Sequence, residues 1–322
     1  MKAIQIQQTG TPDVMQFVEV PTPQPKSNEV LVKIVAAGVN FIDVYNREGR
    51  YKVPLPAIIG QEGAGIVAEI GRDVTTFKPG DRVAYTNLLG SYAEYAVVPA
   101  DRLVKVPDGV SERQAAATML QGLTAHYLCY DTFPVKKGDT ALVHAAAGGV
   151  GLLLAQMIHN LGGRVIATVS TDEKARLARE AGADETILYT QTDFESETRR
   201  LTGGKGVDVV YDSVGKTTFD KGLNILRPRG MMVLFGGSSG AVPPFDPLLL
   251  TQRGSLFLTR PSLGHYIMTA AELQARASAV FAMIAAGKLK LRIEHIYPLK
   301  DAQQAHRDLE GRKTTGKLLL IP

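Results

Sequence analysis

The sequence predicts an α/β protein that combines a β-rich unit with a doubly wound parallel-sheet domain. Glycines and prolines interrupt the chain at short intervals up to about residue 110, which is typical of short strands joined by turns. From Asp139 onward, short apolar runs alternate with helical segments, which is typical of a parallel sheet. The length of 322 residues is sufficient for two domains of ordinary size.

Composition narrows the classes of protein that remain. Hydrophobic residues make up 45% of the chain and charged residues 21%, so a large core can form. The net charge of +4 gives no sign of a nucleic-acid partner. The longest apolar stretch, residues 141–158, contains three glycines and His144, so no membrane span is predicted. The single cysteine, Cys129, excludes an intrachain disulfide and, with an N-terminus unlike a signal peptide, favours a cytoplasmic protein.

Secondary structure is predicted from these patterns along the chain. The β-rich unit contains runs of β-branched residues at 29–35, 65–70 and 81–85, then a helix over 111–119 that Ser111 caps and a second helix at about 124–131. The parallel-sheet domain follows as strand 140–144, helix 149–161, strand 164–169, helix 173–181, strand 186–189, helix 194–201, strand 207–211, helix 218–226, strand 231–235 and strand 255–259. A helix at about 270–286 and strands at 293–298 and 316–321 are predicted to return to the first unit.

A glycine-rich turn joins the first parallel strand to its helix. Residues 146–151, Ala-Ala-Gly-Gly-Val-Gly, match the G-x-G-x-x-G pattern with alanine in the first glycine place. Small residues let the backbone approach a pyrophosphate, and the helix that follows directs free N–H groups at its negative charge. We therefore expect a dinucleotide to bind at Ala147, Gly148, Gly149, Val150 and Gly151.

The end of the second parallel strand indicates which dinucleotide is bound. NAD-binding domains usually carry Asp or Glu there to bind the ribose 2′-hydroxyl, whereas this sequence has Ser170 followed by Thr171. Asp172 and Glu173 are the competing acids, but Ser170 and Glu173 also match a capping box, which gives Glu173 a structural role. With no acid at the strand tip, Lys174 suits a 2′-phosphate, and NADPH is the predicted cofactor.

Several motifs together resemble one superfamily. GVNFIDVY at 38–45, IGQEGAGIV at 59–67 and KPGDRV at 78–83 resemble medium-chain dehydrogenases/reductases. With AAAGGVG at 145–151, YDSVG at 211–215 and TRPSL at 259–263, the chain is similar to the zeta-crystallin-like quinone oxidoreductase branch over essentially its whole length. The resemblance implies a GroES-like substrate domain formed by residues 1–123 and 263–322, a Rossmann domain that binds NADPH over 124–262, and a homodimer.

The same resemblance bears on metal binding. Zinc alcohol dehydrogenases of the superfamily hold their metal with a cysteine and a histidine at the places of Asn40 and Gln61. A catalytic zinc needs three N, S or O ligands in a near-tetrahedral array, so a zinc-free member is expected. His126 and Cys129 lie one helical turn apart, and packing inside the helix is the expected role for them.

Without a metal, hydrogen bonds must polarise the substrate oxygen while hydride leaves the nicotinamide. The resemblance places Asn40 and Tyr45 near the nicotinamide as candidate donors, with Asp43 between them as a residue that orients the loop. The alternative for Tyr45 is that it only forms a wall of the pocket.

The resemblance also implies further cofactor contacts. Thr124 near the domain junction, Tyr189, Ser213, Phe235, Ser238 and Arg260 are expected to line the cofactor cleft. All but Thr124 and Arg260 follow predicted parallel strands, whose C-terminal ends are where open sheets bind ligands. Tyr189 is a candidate for stacking on adenine, and Lys317 or Arg260 for contacting phosphate; the alternative for each is an ordinary surface residue.

Three functions remain open at this point. The leading one is NADPH-dependent reduction of a quinone or a related electrophilic small molecule. The second is reduction of the double bond of enones or alkenals, which the superfamily also contains. The third is a zeta-crystallin-like NADPH-binding or RNA-binding protein with incidental catalysis, although no basic stripe interleaved with aromatic residues favours RNA.

Overall fold

The structure is a computed structural model that describes residues 1–322, and it confirms the predicted fold class. The chain divides into two compact units. Unit 1 contains residues 1–123 and 266–322, and unit 2 contains residues 124–265. None of the helices is both long enough and apolar enough to span a bilayer.

Short strands dominate the N-terminal part of unit 1. Its elements are β1 (Lys2–Ile6), β2 (Met15–Glu19), β3 (Glu29–Val39), α1 (Phe41–Glu48), β4 (Ala57–Ile58), β5 (Glu62–Ile70), β6 (Arg82–Thr86), β7 (Tyr95–Pro99), β8 (Val104–Lys105) and α2 (Glu112–Thr118). The next helix, α3 (Gln121–Tyr127), begins in unit 1 and ends in unit 2. The long strand β3 pairs antiparallel with both β5 and β7. Its apolar residues alternate across the two faces of the sheet and are buried over most of its length.

The two helices predicted before the parallel sheet differ in how well the sequence locates them. Ser111 caps α2 as expected: its hydroxyl accepts the N–H of Gln114, whose side chain accepts the N–H of Ser111. The second helix begins three residues earlier than predicted, and a π-helical turn over 128–132 follows it. Leu123 and Tyr127 are both buried, so the buried face of this helix starts before Thr124.

Unit 2 is a six-stranded sheet with helices between the strands. Its elements are β9 (Thr140–Val143), α4 (Gly149–Asn160), β10 (Arg164–Val169), α5 (Asp172–Glu180), β11 (Glu185–Leu188), α6 (Phe194–Leu201), β12 (Val207–Asp212), α7 (Phe219–Asn224), β13 (Leu226–Leu234), α8 (Leu248–Gln252) and β14 (Phe257–Thr259). The strand order is β11-β10-β9-β12-β13-β14, and every neighbouring pair is parallel. The order therefore reverses between β9 and β12, which is where doubly wound sheets form their ligand crevice.

The last part of the chain completes the sheet of unit 1. It contains α9 (Ala270–Ala285), β15 (Ile293–Pro298), α10 (Ala302–Glu310) and β16 (Lys317–Ile321). Strand β16 pairs antiparallel with β3 and parallel with β15. Leu318 and Leu320 on β16 join the hydrophobic core that the N-terminal strands form, whereas unit 2 has a separate core between its sheet and α6 and α7.

A buried ion pair links β16 to β5 inside unit 1. Lys317, 2% exposed, donates from its ammonium to a carboxylate oxygen of Glu62, which is fully buried. The other carboxylate oxygen of Glu62 accepts the N–H of Leu120 at 2.5 Å. Burial lowers the pKa of Lys317, and the charge of Glu62 opposes that shift. The pair keeps two charges satisfied in the protein interior, where either charge alone would be costly.

Replacement of Lys317 by Met should therefore destabilise the protein by about 3–5 kcal/mol, because it leaves the Glu62 carboxylate buried without a cation. Lys317→Met combined with Glu62→Gln should cost less than the sum of the two single variants, because neither charge then remains. Urea unfolding measures these differences. Lys300→Met, at an exposed lysine, is the control and should change stability by less than about 0.5 kcal/mol. Additive costs in the double variant would contradict this account.

A second close contact in unit 1 involves Gly60 and Tyr92. Gly60 has φ +90°, and a Cβ atom there would lie 2.2 Å from the ring of Tyr92 and 2.4 Å from Oγ of Ser91. Tyr92 is fully buried, so its ring cannot move away without disturbing its neighbours. The absence of a side chain at Gly60 therefore leaves the space that the Tyr92 ring occupies.

The substitution Gly60→Ala should destabilise unit 1 by about 3 kcal/mol, the sum of a left-handed backbone and an overpacked ring. Gly80→Ala is the matched control. Gly80 has φ +91°, but a Cβ atom there would meet nothing within 4 Å, so only the backbone cost of about 1 kcal/mol applies. Thermal or urea unfolding compares the two variants, and equal losses would show that the contact with Tyr92 does not matter.

Candidate active site and cofactor site

Five of the predicted cofactor residues in unit 2 directly follow parallel strands, and so occupy one edge of the sheet. Each comes immediately after the last residue of its strand: Ser170 after β10, Tyr189 after β11, Ser213 after β12, Phe235 after β13 and Arg260 after β14. Arg260 thus belongs to this set, in contrast to the expectation from the sequence. The glycine turn follows β9, the remaining strand of the sheet. Side chains from different loops therefore converge at the edge where such sheets bind ligands.

The glycine turn has the geometry of a phosphate cradle. Helix α4 begins at Gly149 with Gly148 as its N-cap, so its first N–H groups have no partner within the helix. A Cβ atom at Gly151 would lie 2.5 Å from the carbonyl oxygen of Ala145, so only glycine fits there. Ala145 itself has φ +50°, a left-handed conformation that non-glycine residues seldom adopt. These features suit an anionic group held by backbone N–H groups at the helix start.

The residue that caps α5, after β10, differs from the predicted one. Thr171, and not Ser170, caps α5: its hydroxyl accepts the N–H of Lys174 at 3.2 Å. The predicted capping box between Ser170 and Glu173 is wrong by one residue, because Thr171 has the extended backbone of an N-cap and the helix starts at Asp172. Glu173 is exposed and Lys174 is half-buried. The first turn of α5 therefore presents two carboxylates beside Lys174.

Main-chain hydrogen bonds hold the other loops at this edge. The guanidinium of Arg260 donates to the carbonyls of Leu234 at 2.8 Å and Gly236 at 3.1 Å, and so braces the loop that contains Phe235. The N–H of Ser238 donates to the carbonyl of Ser213 at 3.1 Å. The side chain of Tyr189 is 40% exposed, which leaves its ring accessible for stacking.

Sequence reasoning missed two buried residues that shape this edge. Asp212 accepts the N–H groups of Val214 at 2.7 Å and Gly215 at 3.0 Å, and the hydroxyl of Thr218 at 2.7 Å, so it fixes the turn that carries Ser213. An aspartate followed by glycine three residues later is the signal that predicts such a turn. His144 packs its ring edge-on against Phe194, and burial lowers its pKa.

In unit 1, the predicted catalytic residue Asn40 lies in a buried polar cluster, defined here as Asn40, Glu62, Gln121 and Lys317. The Asn40 amide nitrogen donates to Glu62 at 2.9 Å and to the Gly38 carbonyl at 3.4 Å. Its amide oxygen accepts from Lys317 at 2.8 Å and from Gln121 at 3.2 Å. A hydrogen bond from Asn40 to a substrate oxygen would have to replace the long contact to Gly38, the weaker of its two donations.

This cluster changes the interpretation of Lys317. Lys317 is a predicted candidate for contacting phosphate, but its ammonium lies buried between Glu62 and Asn40 in unit 1. Its donors serve the buried carboxylate, so the structure gives Lys317 partners different from the predicted one. Thr124 is buried within α3 and does not follow a strand.

Asp43 and Tyr45 lie on α1, the helix that follows Asn40. Asp43 accepts the N–H of Asn40 at 2.9 Å and so ties the start of the helix together. The ring of Tyr45 is nearly buried against Tyr51, in edge-on geometry at 5.7 Å, with the guanidinium of Arg50 at 5.1 Å from its centre. These contacts hold the Tyr45 ring in place, and its role as a donor or as a wall of the pocket stays a prediction.

A chain of buried titratable side chains starts at Asp43, and sequence reasoning missed all of its other members. Tyr92 donates its O–H to Asp43 at 3.0 Å and lies 3.1 Å from Nε2 of His306. Arg47 contacts Nδ1 of His306 at 3.0 Å and Glu310 at 2.5 Å. Burial raises the pKa of Asp43 to about 7 and lowers that of His306 to about 3. The i, i+4 spacings of 43 with 47 and 306 with 310 are the only signal in the sequence.

Two family models match this chain, each over a different range of residues. Residues 26–108 match the alcohol dehydrogenase GroES-like domain, and residues 149–283 match the zinc-binding dehydrogenase family. Residues 26–108 lie within unit 1, and most of residues 149–283 lie within unit 2.

Full-length relatives give a closer comparison. The chain is 46% identical to a quinone oxidoreductase of Pseudomonas aeruginosa, with 100% of this chain and 99% of the relative covered. It is 42% identical to a 2-haloacrylate reductase of a Burkholderia species, over 98% of both chains. The crystal structure of Escherichia coli quinone oxidoreductase complexed with NADPH superposes with a TM-score of 0.98 at 45% identity, over 100% of both chains. The chain belongs to the quinone oxidoreductase branch of the medium-chain dehydrogenase/reductase superfamily.

Proposed function

We propose that this protein is an NADPH-dependent quinone reductase that works without zinc. The observation that carries the proposal is the phosphate cradle at the switch point of the parallel sheet, in a chain that is similar over its full length to quinone oxidoreductases. The reaction class is transfer of hydride to an electrophilic acceptor.

The cofactor would be held by the loops at the C-terminal edge of the parallel sheet in unit 2. Backbone N–H groups of the glycine turn, from Ala147 through Gly148, Gly149 and Val150 to Gly151, would bind the pyrophosphate. The 2′-phosphate would be bound by Ser170, Thr171 and Lys174, and the adenine would stack on Tyr189. The rest of NADPH would contact the loops that contain Ser213, Phe235 and Ser238. When bound, NADPH supplies hydride.

The residues at the expected metal position support a mechanism without zinc. The family description of the second domain names a zinc-binding dehydrogenase, but the amide oxygen of Asn40 accepts from the Lys317 ammonium, and a divalent cation beside it would be repelled. No three side chains of His, Cys, Asp or Glu are grouped to hold a metal ion. Polarisation of the acceptor then falls to hydrogen-bond donors, for which Asn40 and Tyr45 are the proposed residues and Asp43 the residue that orients them.

A second candidate is reduction of an activated carbon–carbon double bond. The 2-haloacrylate reductase of the Burkholderia species covers nearly the whole chain at 42% identity, close to the value for the quinone oxidoreductases. A quinone remains the better substrate in our proposal, because its reduced product is aromatic and its oxygens tolerate negative charge, so weak polarisation is sufficient.

We also propose that the protein is a cytoplasmic homodimer. Strand β14 lies at the edge of the parallel sheet and pairs only with β13, and its residue Phe257 is 56% exposed. An open strand edge with an exposed aromatic side chain is suited to pairing with a second copy. The single cysteine allows no intrachain disulfide, which is typical of proteins of a reducing compartment.

Oxidation of NADPH with 1,4-benzoquinone, compared with a panel of enones and 2-haloacrylate, tests the proposed activity. We expect kcat/KM to be at least about tenfold higher for the quinone, or about 1.4 kcal/mol in transition-state stabilisation. Elemental analysis of the same preparation should find far less than one zinc per chain. A higher kcat/KM for the enones would favour the second candidate, and NADPH binding without turnover of either class would favour a binding protein.

Cofactor preference is tested at Lys174. We expect kcat/KM with NADPH to exceed that with NADH by at least about tenfold, because a charge-assisted contact from Lys174 to the 2′-phosphate contributes about 1.5–3 kcal/mol. Lys174→Ala should lose most of this preference. Arg176→Ala is the matched control, since the exposed Arg176 is paired with Glu180 on the same helix, and it should keep the preference. An unchanged ratio in Lys174→Ala would refute the role of Lys174.

A further inference from the structure

The buried chain that joins α1 to α10 has a direction that the chemistry of arginine dictates. A guanidinium has only donors, so the contact of Arg47 with Nδ1 of His306 requires that nitrogen to be an acceptor. Neutral His306 must then carry its proton on Nε2 and donate it to the oxygen of Tyr92, at 3.1 Å. The Tyr92 hydroxyl is left with its own proton, which it donates to Oδ2 of Asp43 at 3.0 Å.

We propose that Arg47, His306 and Tyr92 are positioning residues for the reductase reaction: Arg47 fixes the tautomer of His306, and the one-way chain that results holds Asp43 as the acceptor that sets the first turn of α1. This inference rests on the proposed function for its catalytic part. Asn40 immediately precedes the turn, and Tyr45 lies between Asp43 and Arg47 on the same helix. None of the three positioning residues needs to contact the substrate.

The charges around the chain keep its direction fixed. His306 is fully buried and faces the guanidinium of Arg47, and both effects lower its pKa, to about 3, so the ring stays neutral at physiological pH. Arg47 is paired with Glu310, on the same helix as His306, at 2.5 Å and with Glu48 at 3.5 Å. At the other end, Lys317 lowers and Glu62 raises the pKa of Asp43. A proton on Asp43 would go to Oδ1, which has no partner, so Oδ2 stays an acceptor in either state.

This chain of hydrogen-bonded side chains does not deliver protons from solvent. Glu310 is its only partly exposed member, with 29% of its side chain accessible, and Arg47 separates it from His306. A guanidinium does not deprotonate in a protein, so a proton cannot pass through it. Positioning is therefore the role that the geometry allows.

Nitrogen-15 NMR of the imidazole rings tests the tautomer without any assay of activity. In the wild-type protein, His306 should show a protonated Nε2 and an unprotonated Nδ1, with no change between pH 8 and pH 5. In Arg47→Met the donor to Nδ1 and the nearby positive charge are both lost, so His306 should bind a proton at a higher pH than in the wild type. An Nδ1–H tautomer in the wild type, or a ring that titrates between pH 8 and 5, would overturn the proposal.

Steady-state kinetics with NADPH and a quinone test the positioning. Arg47→Met and Tyr92→Phe should each lower kcat by at least about tenfold, with a KM change below about threefold. Tyr92→Phe keeps the ring against His306 and removes only the hydroxyl, so it guards against misfolding of the arginine variant. Arg307→Met is the matched control: Arg307 follows His306 on α10, but its side chain is paired with Asp13 at the surface, so this variant should keep its kcat.

The backbone amide proton of Asn40 provides a readout of the position of Asp43 that does not depend on enzyme activity. It donates to Asp43 in the structure, so its chemical shift should move in Tyr92→Phe and stay in place in Arg307→Met. If the wild type turns over no quinone, the proposed function fails. The His306 tautomer and the chemical shift of the Asn40 backbone amide then still show whether the buried side chains position α1. If quinone turnover is normal but kcat is unchanged in both variants, the positioning role is wrong.

Discussion

A single buried carboxylate, that of Glu62, constrains much of unit 1. A charge removed from water costs several kcal/mol unless cations and hydrogen-bond donors replace the solvent. Glu62 receives such donors from the end of the segment after α2, from the Asn40 amide and from Lys317 on the last strand. Three stretches of chain that are far apart in sequence must therefore meet around one side chain, and the start of α1 is among them.

In unit 2, by contrast, the order and parallel direction of the strands place the functional loops. Because every strand is parallel, each strand-to-helix loop lies at the same edge, and no long-range polar contact is needed to bring the loops together. What remains for side chains is fine adjustment: Asp212 shapes one turn, and Arg260 braces another through main-chain carbonyls. These hydrogen bonds lie within the protein and need no ligand to form.

This difference explains how much the sequence could predict. Local signals located most elements of unit 2: the bounds of β10 and α6 match the predicted ones, and the glycine turn was identified from its pattern. Strand β13, however, begins at Leu226, five residues before the predicted strand, and α8 was not predicted. Caps were harder, since Ser170 and Thr171 are chemically similar and the backbone alone selects Thr171. The polar interior of unit 1 was out of reach, because Arg47 and His306 are separated by 259 residues. Lys317, at the start of an apolar strand, has the local pattern of a solvated residue, and only the packing of β16 beside β3 buries it.

The return of the last strand to the first unit has a consequence for synthesis on the ribosome. Residues 124–265 form a continuous unit, so all of its strands emerge together and it can fold while the remaining chain is still being made. Strands β1 to β8 emerge before unit 2 but must wait for Lys317 and β16, which follow unit 2 along the chain. Until then Glu62 is better left in water than buried. Strands β1 to β8 are therefore translated before unit 2 but completed after it, and in the interval their apolar faces are open to association with other chains.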